Sequence, residues 1–248
     1  MAGKEVILSG RLQMLADMVK IGDRVADVGC DHGFLSVYLV QRGISPRVLA
    51  MDVRKGPLAA AKEHIRAYGL EAYIKVRLSD GLTLLEKGEA DTVVCAGMGG
   101  ALMQRILREG LDKIRDMTLI LQPQSELKEF RRFLRRENFR ILEETAILEE
   151  GKYYFAMKAV YAGESTPQPE TECELFDAYG EMLLKQKHPV LKQYLEFRGG
   201  VLEQLAKKLS EHVGEHAREE GRTGRAEERL NQVKDELMGI REALKWYR

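Results

Sequence analysis

Along the first two thirds of the chain, apolar positions alternate between two periods. Leu12, Leu15, Ala16 and Val19 stand at helical spacing within residues 7–20, with Ser9 placed as the N-cap. A short unbroken apolar strand follows at Val25, Ala26 and Val28, and the amphipathic run Phe34–Gln41 restores the helical period. The exchange then repeats with strand 47–52 and helix 56–68, whose Pro57 lies in the first turn, where a missing N–H costs little. Strand 73–78 leads to a short helix or turn over 82–87, strand 91–95 to helix 101–109, and strand 119–122 to helix 125–137. Two β-rich runs, 140–148 and 153–161, meet across Glu149-Glu150-Gly151-Lys152, a hairpin signal. Five β/α units closed by a hairpin predict an α/β fold: a doubly wound, Rossmann-like sheet of seven strands, antiparallel only at one edge. A dinucleotide fold would continue with parallel units, so the hairpin points towards a methyltransferase sheet.

Beyond residue 163 the pattern changes. Residues 164–174 form a polar linker with two prolines, which divides an expected domain over 1–163 from one over 164–248. Helices are expected over 174–187, 189–220 and 224–247. Leu191, Leu195, Leu202, Leu205 and Leu209 make one narrow stripe, and Leu230, Val233, Leu237, Ile240 and Leu244 make another. With Gly221-Arg222-Thr223-Gly224 between them, the two predict an antiparallel coiled-coil hairpin. Such an arm serves either packing and self-association or the docking of a substrate.

Composition narrows this picture only slightly. The 248 residues suffice for a domain of about 150 residues and a smaller addition. Residues 1–160 carry a balance of +3 and the remainder −3, too small an asymmetry to establish a nucleic-acid partner. Cys30, Cys95 and Cys173 are odd in number and lack metal-ligand spacing, which predicts reduced, structural thiols and no metal. With no apolar run near the ~18 residues of a membrane span and no signal-peptide core at the start, the expectation is a cytoplasmic protein with no membrane partner.

Candidate chemistry gathers at the carboxyl ends of the expected strands, where ligands of this fold class bind. Asp27, Gly29, Asp31, His32 and Gly33 follow the first strand, and the Asp-x-Gly turn into a helix suits a nucleotide-like ligand. Its spacing is not that of the dinucleotide fingerprint; it is closer to the glycine loop of S-adenosylmethionine enzymes. Asp52 ends the second strand and can accept both hydroxyls of a ribose. Ser79, Asp80 and Gly81 end the third; Asp80 can accept from an adenine amino group while Val53 or Leu82 packs on the ring. Asp27 is placed to meet a cationic amino group or sulfonium. Gly97 and Met98 complete the donor side, while Gly99, Gly100, Gln122 and Pro123 open towards an acceptor. Helix capping is the alternative role for Asp31 and Asp52, and His32 either acts in catalysis with Asp31 or caps the loop. For RNA contact, Arg11 and the run Arg131, Arg132, Arg135, Arg136 and Arg140 are candidates; a solvated helix face is the alternative for that run.

Four motifs taken together resemble the bacterial tRNA adenine-22 N1-methyltransferases: Asp-Val-Gly-Cys-Asp-His-Gly at 27–33, Leu-Ser-Gly-Arg-Leu at 8–12, Ala-Gly-Met-Gly-Gly at 96–100 and Leu-Gln-Pro-Gln at 121–124. Cys30, Gly33 and Gln124 replace the serine, alanine and asparagine common there. The resemblance covers about residues 1–160 and extends to a helical C-terminal domain. It implies S-adenosylmethionine as methyl donor and N1 of a tRNA adenine as acceptor. N1 lies on the Watson–Crick edge, so the base would be unpaired or flipped out. The rival readings are a methyltransferase acting on a small molecule or protein, and a non-enzymatic assembly module.

Overall fold

The computed structural model describes residues 5–163, 170–216 and 224–248. Positions 164–169, within the expected linker, and 217–223, which include most of the expected Gly221–Gly224 connection, lie outside these, as does the side chain of Cys173. The chain divides into two compact units, Met1–Gln168 and Pro169–Arg248.

The first unit holds strands β1 (Val25–Val28), β2 (Val48–Asp52), β3 (Ile74–Leu78), β4 (Thr92–Met98), β5 (Thr118–Pro123), β6 (Phe139–Glu149) and β7 (Lys152–Tyr161). They form one sheet in the order β3-β2-β1-β4-β5-β7-β6. The first five are mutually parallel; β7 runs antiparallel to β5, and β6 antiparallel to β7. The expected seven-stranded, Rossmann-like topology is therefore observed, with the strand order reversing between β1 and β4. All four residues of β1 are buried, as a central parallel strand covered on both faces requires. The tight turn of the hairpin uses Glu150 and Gly151, both at positive φ, the pairing that a two-residue connection between twisted strands favours.

Helices α1 (Gly10–Asp17), α2 (Phe34–Gln41), α3 (Lys55–Ala67), α4 (Gly100–Glu109), α5 (Leu111–Ile114) and α6 (Leu127–Arg136) cover the sheet. Ser9 caps α1 as expected, its hydroxyl accepting from the Leu12 N–H. One apolar core holds Ala26, Val28, Val93, Leu119 and Phe130; a second holds Leu15, Val25, Val37, Ala50 and Val94. Consecutive residues of each strand thus supply opposite faces. Residues 82–87 form turns, and Leu82 and Leu85 are buried in the first core.

In the second unit, α7 (Glu170–Tyr179) and α8 (Glu181–Lys185) precede the long helices α9 (Pro189–His216) and α10 (Gly224–Lys245). Gly180, at φ 89°, breaks the single helix expected over 174–187. Leu191, Leu195 and Leu202 on α9 are buried, as are Leu230, Val233, Leu237, Ile240 and Ala243 on α10. Arg198 forks onto Glu236 and Arg241 reaches Glu203, so ion pairs flank the apolar seam.

One part of the arginine run departs from expectation. Arg131 does not face solvent: its Nε donates to the Glu144 carboxylate at 2.7 Å, and both side chains are buried where α6 packs on β6. A buried carboxylate on the hairpin needs a cation, and α6 turns this arginine inward to supply it. Glu144→Ala should cost about 3–5 kcal/mol in urea denaturation by stranding the guanidinium, whereas an apolar Arg131→Met/Glu144→Leu pair should recover most of that loss.

Candidate functional site

Backbone hydrogen bonds build the site from the ends of neighbouring strands. The N–H groups of Gly29 and Cys30 both donate to the Met51 carbonyl, folding the loop after β1 over the end of β2. Asp52 completes the join, since Oδ2 accepts from the Asp31 N–H at 3.2 Å and Oδ1 from the Arg54 N–H at 2.8 Å. Gly29 takes φ 76°, and a Cβ there would lie 3.0 Å from the Met98 methyl group of the loop after β4. A side chain at this position would therefore be strained in its backbone and crowded as well.

Three carboxylates converge here. Asp27 and Asp52 are buried, while Asp31, at φ 50°, is exposed. Asp27 Oδ2 accepts from the Ser36 hydroxyl at 2.7 Å. Desolvation, opposed by that hydrogen bond and aided by the charge of Asp52, pushes the Asp27 carboxyl up to about 6. Burial and the nearby carboxylates raise the Cys30 thiol, and burial pushes Cys95 up to about 12, so both cysteines stay protonated and act in packing. The Arg54 guanidinium stands against two of the three, its Nη2 3.7 Å from Asp31 and its Nε 3.6 Å from Asp52, so buried Asp27 is the carboxylate that a cationic ligand would relieve.

The other expected donor-side residues divide. The Ser79 hydroxyl donates to the Gly81 carbonyl and accepts from the Leu84 N–H, so it holds the loop after β3 together. Gly81 makes room for Ile106, which a Cβ would meet at 2.8 Å, and Gly33 lets α2 approach Ala61 of α3. Asp80 is exposed and its two oxygens take Arg105 Nη2 and Nη1 at 2.9 and 3.2 Å, which holds its carboxyl below the usual range. Of the two apolar residues considered for ring packing, Leu82 is committed to the core, whereas Val53 stands exposed beside Asp52. The Met98 sulfur lies 3.5 Å from that of Cys95.

His32 lies on the outer side of the loop, its Nε2 3.8 Å from Asp31, beyond hydrogen-bond distance. It joins Phe34 and His64 in a surface aromatic group in which the latter two rings stack at 4.6 Å. On the acceptor side, Gly99 and Gly100 open α4, and the loop after β5 fills the space over them. Gly100 N–H donates to Ser125 Oγ, Ala101 N–H to the Glu126 carboxylate, and a Cβ on Gly100 would meet the Ser125 carbonyl at 2.7 Å. Gly100 therefore admits the neighbouring loop. Gln122 and Pro123 are buried at the end of β5, the Gln122 amide reaching the Pro123 carbonyl. Arg11, a candidate for RNA contact, points across this end of the sheet, its Nη1 donating to Gln122 Oε1 at 3.1 Å. Tyr154 of β7, which the sequence pattern marked only as a strand residue, lies with its ring centroid 5.8 Å from the Arg11 guanidinium carbon. Among the remaining arginines, Arg132 pairs with Glu129 on the surface of α6, Arg135 is half-buried, and Arg136 and Arg140 are exposed.

A doubly wound sheet ending in an antiparallel hairpin, with its glycine loops and carboxylates gathered at the switch point, defines a Rossmann-like methyltransferase class, and a family model described as "Methyltransferase domain" matches residues 8–157. The chain is 33% identical over 207 residues to the tRNA (adenine(22)-N(1))-methyltransferase of Bacillus subtilis strain 168, a match spanning 82% of this chain and 87% of that one. The crystal structure of the B. subtilis M1A22 tRNA methyltransferase TrmK superposes with a TM-score of 0.79 at 29% identity, covering 97% of this chain and all of that one. The Streptococcus pneumoniae protein Sp1610 in complex with S-adenosyl-L-methionine gives 0.77 at 30% identity, over 96% of this chain and all of its own. The chain belongs to the tRNA (adenine-22-N1)-methyltransferase family, TrmK.

The strain stored at Asp27 is measurable. Its raised carboxyl pKa means that its contribution to stability is fully present below about 4 and is lost as pH rises through about 6. Asp27→Asn, which keeps an oxygen for Ser36, should therefore raise the melting temperature of the ligand-free protein at pH 7.5. The gain, on the order of 3 kcal/mol at most, should vanish near pH 4.

Proposed function

We propose that the protein methylates N1 of adenine 22 of tRNA, with S-adenosyl-L-methionine as methyl donor. The observation that carries this reading is the cluster of Asp27, Asp31 and Asp52 around the Gly29 loop, with Arg11 near it at the ends of β4 and β5. When bound, the donor supplies an already activated methyl group on a cationic sulfur. Asp27 meets the cationic methionyl end, and Asp52, fixed by the Asp31 and Arg54 N–H groups, keeps lone pairs for the ribose hydroxyls. Val53 offers an apolar face to the adenine ring, with Asp80 at its amino edge. Gly29 and Gly97, both at positive φ, bring backbone rather than side chain against the donor.

Adenine N1 presents a lone pair and no proton, so the site has to align two partners for in-line displacement and needs no general base. His32, outside hydrogen-bond reach of Asp31, fits a surface role better than a catalytic one. Asp31 lies near enough to the donor loop to stabilise the positive charge that the methylated ring acquires. The second unit is read as an antiparallel coiled coil that docks tRNA or mediates self-association, and domain boundaries at 1–163 and 164–248 follow from that reading. Working on tRNA, the enzyme would act in the cytoplasm. Arg132, Arg135, Arg136 and Arg140 remain the basic surface offered to tRNA phosphates; Arg131 is withdrawn from it.

The decisive assay uses labelled donor and unmodified tRNA transcripts. Methyl incorporation should require an adenine at position 22, and transfer that survives its replacement would overturn the assignment. Donor binding by calorimetry should tighten as pH rises through about 6, because the cation favours ionised Asp27. Asp52→Ala should weaken donor binding at least tenfold, and unchanged affinity would refute its ribose role.

A further inference from the structure

The carboxylates Asp27 and Asp52 gather after β1 and β2, and a half-buried guanidinium stands further along the same edge, at the ends of β4, β5 and β7. This is Arg11. It is half-buried between Tyr154, Gln122 and Gly97; a Cβ on Gly97 would lie 3.6 Å from Arg11 Nη1 and 3.9 Å from the Gln124 amide nitrogen. Its backbone N–H, with that of Gly10, is held by the Glu149 carboxylate at the start of the hairpin turn, so the segment bearing it is fixed at two points. Among the described residues no carboxylate forms an ion pair with the Arg11 guanidinium. That contrasts with Arg131, which is buried against Glu144, and with Arg24, Arg77 and Arg105, each forked onto an acid. Partial desolvation of an unneutralised guanidinium is unfavourable unless an anion arrives to share the site. The Gln122 side chain is fully buried and spends its amide on the Pro123 carbonyl and its oxygen on Arg11, so it offers little to an incoming base.

We infer that Arg11 receives a phosphodiester of the nucleotide being methylated, with Gln122 as a positioning residue that aims the guanidinium and Tyr154 as the face against which it rests. The inference rests on the proposed tRNA reaction and assigns the charged groups along the edge to the two substrates: carboxylates for the cationic donor, guanidinium for the anionic strand. A guanidinium has five donors and no acceptor, which matches a phosphate and leaves the adenine N1 lone pair free for the methyl group. Gln122 thereby moves from holding the base to holding the arginine.

The test measures tRNA affinity by fluorescence anisotropy across a salt series and steady-state methyl transfer to tRNA, with S-adenosylhomocysteine affinity and melting temperature recorded on the same full-length variants. Arg11→Gln should raise the KM for tRNA about tenfold and flatten the plot of log affinity against log salt by roughly one charge, with S-adenosylhomocysteine affinity unchanged. Arg11→Lys should keep the salt slope while losing part of kcat/KM, because the charge persists without the fork. Gln122→Ala should also keep the slope and lower kcat. Gln122→Glu, by placing a carboxylate against Arg11, should flatten the slope as Arg11→Gln does. A salt slope and KM unchanged in Arg11→Gln, with only the melting temperature lowered, would make Arg11 a structural tie and overturn the inference. A wild-type protein that binds tRNA but not S-adenosylhomocysteine, or the reverse, would instead defeat the underlying reaction and leave no acceptor for Arg11 to hold.

Discussion

The Asp52 carboxylate governs the geometry of the whole donor side. It closes β2, accepts from the backbone of the loop after β1 through Asp31, and accepts again from Arg54 at the entry to α3. Together with the two N–H groups that converge on the Met51 carbonyl, it fixes how far the Gly29 loop stands above the sheet. Gly29 in turn sets the clearance to Met98 and so the spacing between the ends of β1 and β4, across the point where the strand order reverses. The hydrogen bonds at Met51 and Asp52 are made by backbone and by one short side chain, so this part of the cleft is shaped before any ligand enters. Such preorganisation lowers the ordering cost of binding.

That rigidity has an electrostatic cost. Asp27 is buried on a central strand with Asp52 near enough to raise it, and one serine hydroxyl does not offset the desolvation. A fold selected for stability alone would carry a neutral residue there. The carboxylate makes sense as a group whose strain is relieved when a cation binds, which joins an electrostatically costly position to the proposed chemistry.

Periodicity made the sheet legible because each β/α unit is local: the apolar spacing of strand and helix lies within about 25 residues, and the hairpin turn carries its own glycine. The glycine loops and Asp52 were legible for the same reason. What the pattern misjudged depends on partners far along the chain. Arg131 read as part of a basic helix face because Glu144, which draws it inward, sits on a different element. Leu82 was one of two residues considered for packing on the adenine ring because nothing local shows that Gly110, just beyond α4, lets it pack into the core. Arg11 and Gln122 were each marked for the acceptor side, but their hydrogen bond spans 111 positions, and Tyr154 had only the signature of a strand residue. A buried asparagine or glutamine at a strand end, opposite an arginine in a preceding helix, is a signal that sequence alone presents as two unrelated facts.

The opposition of charges along the edge also bears on turnover. Methyl transfer from a sulfonium to a neutral ring nitrogen creates no net charge; it moves one positive charge by a few ångströms, from the donor to the base. The donor loses its sulfonium charge as the reaction proceeds while its ammonium group, the partner proposed for Asp27, is unchanged, and the methylated base becomes a cation. On the proposed reading, the phosphodiester that Arg11 holds neutralises the guanidinium, so the side chain captures the strand without opposing the positive charge that develops on the base. Because charge is relocated rather than generated, alignment of donor and acceptor has more to contribute to the rate than any single stabilising group, and the rigid loops around Asp52 and Gly29 are suited to provide it.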